Sequence, residues 1–195
     1  MTLVVHGLLS RREKRALFAK LNMVIGAFFS EVGTELLARL ARMDEGLEEL
    51  RGDLAGMAQW PARRFAELAR RFADRPCRLP NADDLADLRS LLAAKRPFLL
   101  VLLENPNLLE HERFTDLLWA AFHLTEELLH RPELGQLPES DLNHLAGDIR
   151  RAYGRLMTEW LHYMRHLQAD YPYLFSLAAR TNPFDPAASP VVAEK

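Results

Sequence analysis

A chain of 195 residues, 49% hydrophobic and 27% charged, is long enough to enclose one ordinary core without covalent staples. A net charge of −2 argues against a protein that coats nucleic acid over its whole surface. One cysteine, Cys77, excludes an internal disulfide and suits a reducing, cytoplasmic compartment.

Helix-forming Ala, Leu, Arg and Glu dominate, and alternating strand-like runs are almost absent. The expected fold is all-α: a single irregular bundle of five to six helices over residues 1–180, with a Pro-rich, disordered tail or surface arm over 181–195. In chain order, MTLVVHGLL is apolar but far short of the roughly 20 residues a spanning helix needs. It runs into Arg11, Arg12, Lys14 and Arg15, a basic flank like those on the cytoplasmic side of membrane segments. A shallow membrane contact, an anchor stub and a terminus resting on the bundle all fit it.

Ser10 and Glu13 form a capping box that opens a first helix reaching about Met43. Phe18, Leu21, Ile25, Phe28, Val32 and Leu36 share one face, and Gly26 with Gly33 predicts a close helix contact beside it. The apolar run Leu21 to Phe29 is too short to span a bilayer. Glu31 and Glu35 border the apolar face, as ligands or as carboxylates reaching water. Asp44 to Met57, broken by glycines, reads as a turn with a short weak helix.

Trp60 to Ala73 reads as an amphipathic helix with Pro61 in its first turn and Phe65, Leu68 and Phe72 on the buried side. Its other side carries Arg63, Arg64, Arg70 and Arg71. Residues 11–20 and 60–78 each hold a net +4, so the rest of the chain is near −10. Basic helices with Trp and Phe suit an anionic membrane surface, whereas pairing with Asp83, Asp84 and Asp87 would make the same arginines an ordinary solvated face. Cys77 lies between arginines that favour the thiolate, without a neighbouring base or second thiol. Asn81 predicts an N-cap, Pro97 a kink or restart, and PFLLVLL beyond it a buried segment.

Asn107 with Glu110 resembles a cap for the next helix, Phe114 to His130, expected to be the centre of the bundle. Phe114, Leu117, Leu118, Ala121, Phe122, Leu124, Leu128 and Leu129 form its apolar arc, and Asp116, His123, Glu127 and His130 the opposite polar stripe. The last long helix, Ser140 to about Ala169, shows a core stripe from Leu142 to Leu167. Asp141, His144, Asp148, Arg151, Glu159 and His162 lie on its polar side. Tyr173 to Arg180 adds a short helix.

The sharpest chemical signal is metal. Glu127-Leu-Leu-His130 matches the Glu-x-x-His half-site of di-iron carboxylate bundles, Asp141-Leu-Asn-His144 is its aspartate relative, and Glu31 could supply a third helix. Both pairs lie on polar stripes rather than core faces, and Arg151 and Arg155 would repel a cation. There is no Gly-rich phosphate loop, no GxSxG elbow and no CxxC pair.

NMVIGAFFSEVG (22–33), FTDLLWAAFHLTEEL (114–128), DLNHLAGDIRRAY (141–153) and YPYLFSLAARTNPF (171–184) together resemble an uncharacterised family of bacterial helical proteins. Members are often membrane-linked through an N-terminal hydrophobic segment. The resemblance implies a helical domain beside the membrane and brings no activity or site residue with it. The expectation is therefore a non-catalytic interaction or signalling module at the cytoplasmic face, without cofactor. Its basic stretches would face lipid, and a protein partner or a second copy would meet the polar stripe. The alternative is a metal-carboxylate bundle using iron, manganese or zinc for redox or metal sensing. A third possibility is a sensor of a small apolar ligand.

Overall fold

The computed structural model describes residues 20–106, 108 and 111–192. Among them are seven helices and no strand. They are α1 (Lys20–Ala41), α2 (Leu47–Leu54), α3 (Ala62–Arg71), α4 (Ala82–Leu103), α5 (Glu112–Leu129), α6 (Glu139–Asp170) and α7 (Pro172–Arg180). A 3-10 turn, Met57–Gln59, separates α2 from α3. The fold class is as the composition predicts, and the weak Asp44–Met57 segment contributes a real helix. The predicted capping boxes at Ser10 and at Asn107 lie on residues outside the described ones.

Length and composition would let α1 cross a membrane, contrary to the expectation that no segment can. Its apolar face is instead turned inward, with Leu21, Ile25, Phe28, Val32 and Leu36 buried. Phe28 meets Phe114 edge to face at 5.3 Å. A π-turn at Phe29–Gly33 interrupts α1, and the Thr34 hydroxyl donates to the Phe29 carbonyl at 2.8 Å. Gly33 leaves room there for the rings of Phe28 and Phe29, while Gly26 lies beneath Tyr163 of α6.

Two local rules explain α4. Asn81 accepts from the Asp84 N–H, and Asp84 accepts from the Asn81 N–H, both at 2.9 Å. Pro97 does not restart the helix, which runs unbroken from Ala82 to Leu103. Its missing N–H would have served the Ala93 carbonyl, and Ala93 and Pro97 both face solvent, where water can take that bond. Beyond it, Leu99 and Leu102 are buried but Val101 is 64% exposed, so PFLLVLL is a one-sided face rather than a buried rod.

The centre of the bundle is α6, not α5. At 32 residues, roughly 48 Å, it packs against α1, α3, α5 and α7, whereas α5 packs mainly against α4 and α6 and meets α1 at Phe114. Buried residues on several sides of its middle turns, among them Ala152, Tyr153, Gly154, Met157 and Leu161, explain this reach. Gly154 allows the closest approach: an added Cβ would lie 2.0 Å from the Ala73 carbonyl oxygen just beyond α3. Thr158 and Gln168 of α6 then donate to the Ala69 and Trp60 carbonyls.

A buried polar node locks the 44-turn to α6. Asp44 accepts from Arg75 Nη2 at 2.7 Å, from the Tyr153 hydroxyl at 2.9 Å and from the Gly46 N–H at 2.8 Å. The segment from Thr181 is a surface arm, pinned where Phe184 packs edge-on against Trp160 at 5.3 Å and its carbonyl accepts from Arg51.

Gly154→Ala should cost about 2–3 kcal/mol, because a backbone carbonyl must move. Gly147→Ala, with nothing within 4 Å of its new methyl, should gain about 0.5–1 kcal/mol. Urea unfolding of the two variants measures both.

Candidate metal centre

Helices α5 and α6 run in opposite directions, joined by residues 130–138. Rising along α5 therefore means descending along α6. Arg113 meets Glu159, Asp116 meets Arg155, His123 meets Asp148, and Glu127 meets His144. Within each helix, His123 with Glu127 and His144 with Asp148 are i, i+4 pairs, which share a side. The seam thus gathers two imidazoles and two carboxylates.

The distances are those of a ligand set rather than of hydrogen bonds. His123 Nε2 lies 3.3 Å from Asp148 Oδ2 and 3.7 Å from Glu127 Oε1. His144 Nε2 lies 3.4 Å from Asp148 Oδ2 and 3.5 Å from Glu127 Oε2. Most hydrogen bonds to a ring nitrogen would be nearer 2.7–3.2 Å, whereas a tetrahedral ion with bonds of about 2.0–2.2 Å spaces its ligands by about 3.3–3.6 Å. Ligand atoms of His123, Glu127 and Asp148 all lie within 4.8 Å of one another, and His144 approaches the same two carboxylates as a fourth group.

Each carboxylate is held from behind by an arginine. Arg151 Nη1 donates to Asp148 Oδ1 at 2.5 Å, and Arg131 Nη1 to Glu127 Oε2 at 2.6 Å. Arg131 also forks onto Asp141 at 2.8 and 2.6 Å. These hydrogen bonds, with the charge of Arg131 behind them, keep Glu127 and Asp141 below the usual carboxylate range. Asp148 Oδ2 is different. Its side chain is 3% exposed, and this oxygen has no hydrogen-bond partner among the described residues. A buried, charged acceptor left in that state is costly, and it points at two imidazole nitrogens.

The predicted site residues divide sharply. His123, Glu127 and His144 come together. His130 caps the end of α5, its ring Nδ1 2.8 Å from the Glu126 carbonyl. Asp141 belongs to Arg131. Asp116 is exposed beside Arg155, and Glu31 pairs with Lys95 of α4, outside the seam. The Glu-x-x-His and Asp-x-x-His half-sites are therefore not the units assembled: only two helices contribute, in i, i+4 pairs. Asp148 and Glu159, expected to face water, are buried. The spacing His144-x-x-x-Asp148 opposite His123-x-x-x-Glu127 was the signal that could have found Asp148. Arg155 is neutralised by Asp116, outside the group, whereas Arg151 shares Asp148 with it.

Residues 17–180 match the model of a family described as the C-terminal helical domain of Uncharacterized protein MJ1433. The chain belongs to that family. It is 44% identical over 186 residues to Uncharacterized protein MJ1433 of the archaeon Methanocaldococcus jannaschii, an alignment covering 95% of this chain and 74% of the relative. No solved structure matches it. An uncharacterised helical family is thus what the resemblance and the comparisons share, here with an archaeal member.

In the basic 60–78 stretch Arg78 pairs with Asp84 of α4 as one reading expected, while the face of α3 itself is partly neutralised by α2. Arg71 pairs with Glu49 and Asp53, and Arg64 stacks on Trp60 and donates to the Asp53 carbonyl. Arg63 and Arg70 are exposed and make no ion pair among the described residues. Arg11, Arg12, Lys14 and Arg15 lie outside those residues. Cys77 is half-buried, and burial pushes its thiol up to about 11, with Asp44 adding to the shift. Desolvation outweighs the flanking arginines, so the thiolate expected from them is disfavoured.

Because Glu127 and Asp141 are depressed in the folded state, their stabilisation is complete above the ordinary carboxylate range and is lost as pH falls through the lowered values. Arg131→Gln should therefore destabilise by about 1–2 kcal/mol at neutral pH. The gap to the parent should close below about pH 4 in urea unfolding run at a series of pH values.

Proposed function

We propose that the chain is a metal-binding helical module that takes one divalent transition ion at the α5–α6 seam. His123 Nε2, Glu127 Oε1 and Asp148 Oδ2 form the core of the site, and His144, outside that group but 3.4 Å from Asp148 Oδ2, would move in as the fourth ligand. The observation that carries this reading is the unpartnered Asp148 Oδ2 between two imidazole nitrogens. Two nitrogens and two oxygens at these spacings suit zinc first, with iron and manganese also accommodated by the donor types. Arg131 and Arg151 orient the carboxylates from the second rank, leaving one oxygen of each free for the ion.

Four side-chain ligands leave no open position for substrate or water, which favours a sensing or structural ion over a hydrolytic one. An ion here would tie α5 to α6 at the end farthest from Arg113 and Glu159. That makes the module a metal-responsive interaction domain more naturally than an enzyme.

Zinc at a hundredfold excess over its dissociation constant should stabilise the fold by about 2.7 kcal/mol. The unfolding midpoint should then rise by about 5–10 °C. Equilibrium dialysis should give one ion per chain. Asp148→Asn should abolish binding and the thermal shift, with His144→Ala weakening it less. Retention of a full equivalent by Asp148→Asn would overturn the proposal. Affinity should drop in acid, because protons compete with the ion for its ligands.

A place beside an anionic membrane is the second reading. It is supported by Arg63 and Arg70, exposed on α3 and without an ion pair among the described residues, and narrowed by the engagement of Arg64 and Arg71. Co-sedimentation with anionic vesicles at low salt should weaken several-fold in the double variant Arg63→Gln, Arg70→Gln. Equal recovery with neutral vesicles removes this reading.

A further inference from the structure

A second polar site lies on the same helix pair, at its other end. A cleft of about 310 Å³ opens where the start of α1, the start of α5 and the last part of α6 meet. Asp148 and Glu159 are eleven positions apart on α6, so the cleft is about 16 Å from the metal seam. Arg113, Arg165, His162, His166, His111 and Asn22 supply most of its polar lining.

Its two carboxylates are already engaged. Glu159, buried at the base, lies 3.4 Å from Arg113 Nε and 3.8 Å from His111 Nε2. Asp170 lies 2.7 Å from His166 Nδ1. Arg165 and His162 are left over: neither makes a hydrogen bond or ion pair among the described residues. His162 is held neutral by its surroundings. Burial pushes its imidazole down to about 4, and Arg113, Arg165 and His111 push in the same direction. Two guanidinium groups thus flank the His162 ring, while Glu159 and Asp170 are held by Arg113, His111 and His166.

We propose that this cleft binds the oxyanion group of a small metabolite, a phosphate or a carboxylate, between Arg165, Arg113 and the imidazole of His162. A guanidinium fork matches either oxyanion with two parallel N–H donors. Neutral His162 adds one N–H, and a bound anion would favour its protonation and so a second donor. The volume suits an oxyanion on a small organic body. The inference does not depend on the metal reading, since the two sites share no residue.

The test uses the full chain, titrated separately with inorganic phosphate and acetate at ionic strength held constant with sodium chloride. Histidine ring resonances are followed by NMR. One or both anions should bind saturably in the millimolar range, and the His162 titration midpoint should rise by about one unit or more with anion bound. Tighter phosphate marks a phosphorylated metabolite, and tighter acetate a carboxylate; both uphold the site. Arg165→Gln, at an exposed position, should weaken binding about tenfold while leaving the unfolding midpoint unchanged. Shifts that grow linearly for both anions, or that chloride reproduces, overturn the proposal. Binding by Arg165→Gln equal to that of the parent does so too.

Discussion

The fixed register of α5 against α6 is the constraint on which the polar chemistry depends. Leu117, Leu118, Ala121, Leu124 and Leu128 are buried from one side, and Leu145, Ile149, Ala152 and Leu156 from the other. Interlocked aliphatic side chains permit few alternative alignments, because sliding by one residue would move each of them off its neighbours. The polar groups at the rim inherit that alignment. Arg113 with Glu159, Asp116 with Arg155, His123 with Asp148 and Glu127 with His144 are successive rungs of one ladder. The ladder is a consequence of packing, and its individual contacts at the surface are too weak to have produced it.

Three carboxylates sit deep along this framework, and they differ in how they are satisfied. Asp44 receives hydrogen bonds from Arg75, Tyr153 and the Gly46 backbone, closing a node that joins a turn to the central helix. Burial and the charge of Asp44 hold the Tyr153 hydroxyl protonated, as its role as donor requires. Glu159 shares Arg113 and His111 at longer range. Asp148 has one oxygen held by Arg151 and one without a hydrogen bond among the described residues. A node that serves stability is expected to look like Asp44, since half-satisfied buried charges weaken a fold. The contrast within one molecule is what sets Asp148 apart.

Periodicity made the helices legible, and capping chemistry placed the start of α4 at Asn81. What it obscured was which helix others would surround. The apolar arc of α5 is wide, but Trp119 and Leu129 at its edges are exposed, at 57% and 39%. The stripe of α6 looked narrower because Gly154 and Ala152 count little on a hydrophobicity scale, yet small residues are what let α3 come close. The polar stripes were correctly located and wrongly imagined as uniformly wet. A carboxylate on the flank of a stripe can turn inward when arginine and histidine from the facing element meet it, as Arg113 and His111 meet Glu159. That outcome depends on the partner helix, which a single helical wheel leaves out. Arg71 makes the same point: its partners, Glu49 and Asp53, come from a helix that glycines made look too weak to matter.

Phe184 sets a practical limit on how short this domain can be made. Helical pattern ends at Arg180, and the family match also stops at residue 180. Yet the ring that roofs Trp160 lies four positions further on, and its carbonyl holds Arg51 in place. A recombinant version trimmed at the last helical turn would bare an indole in the middle of the longest helix and release a guanidinium from its dock. Such a fragment would be stickier than the parent for reasons unrelated to either proposed ligand, so the arm belongs inside the domain boundary.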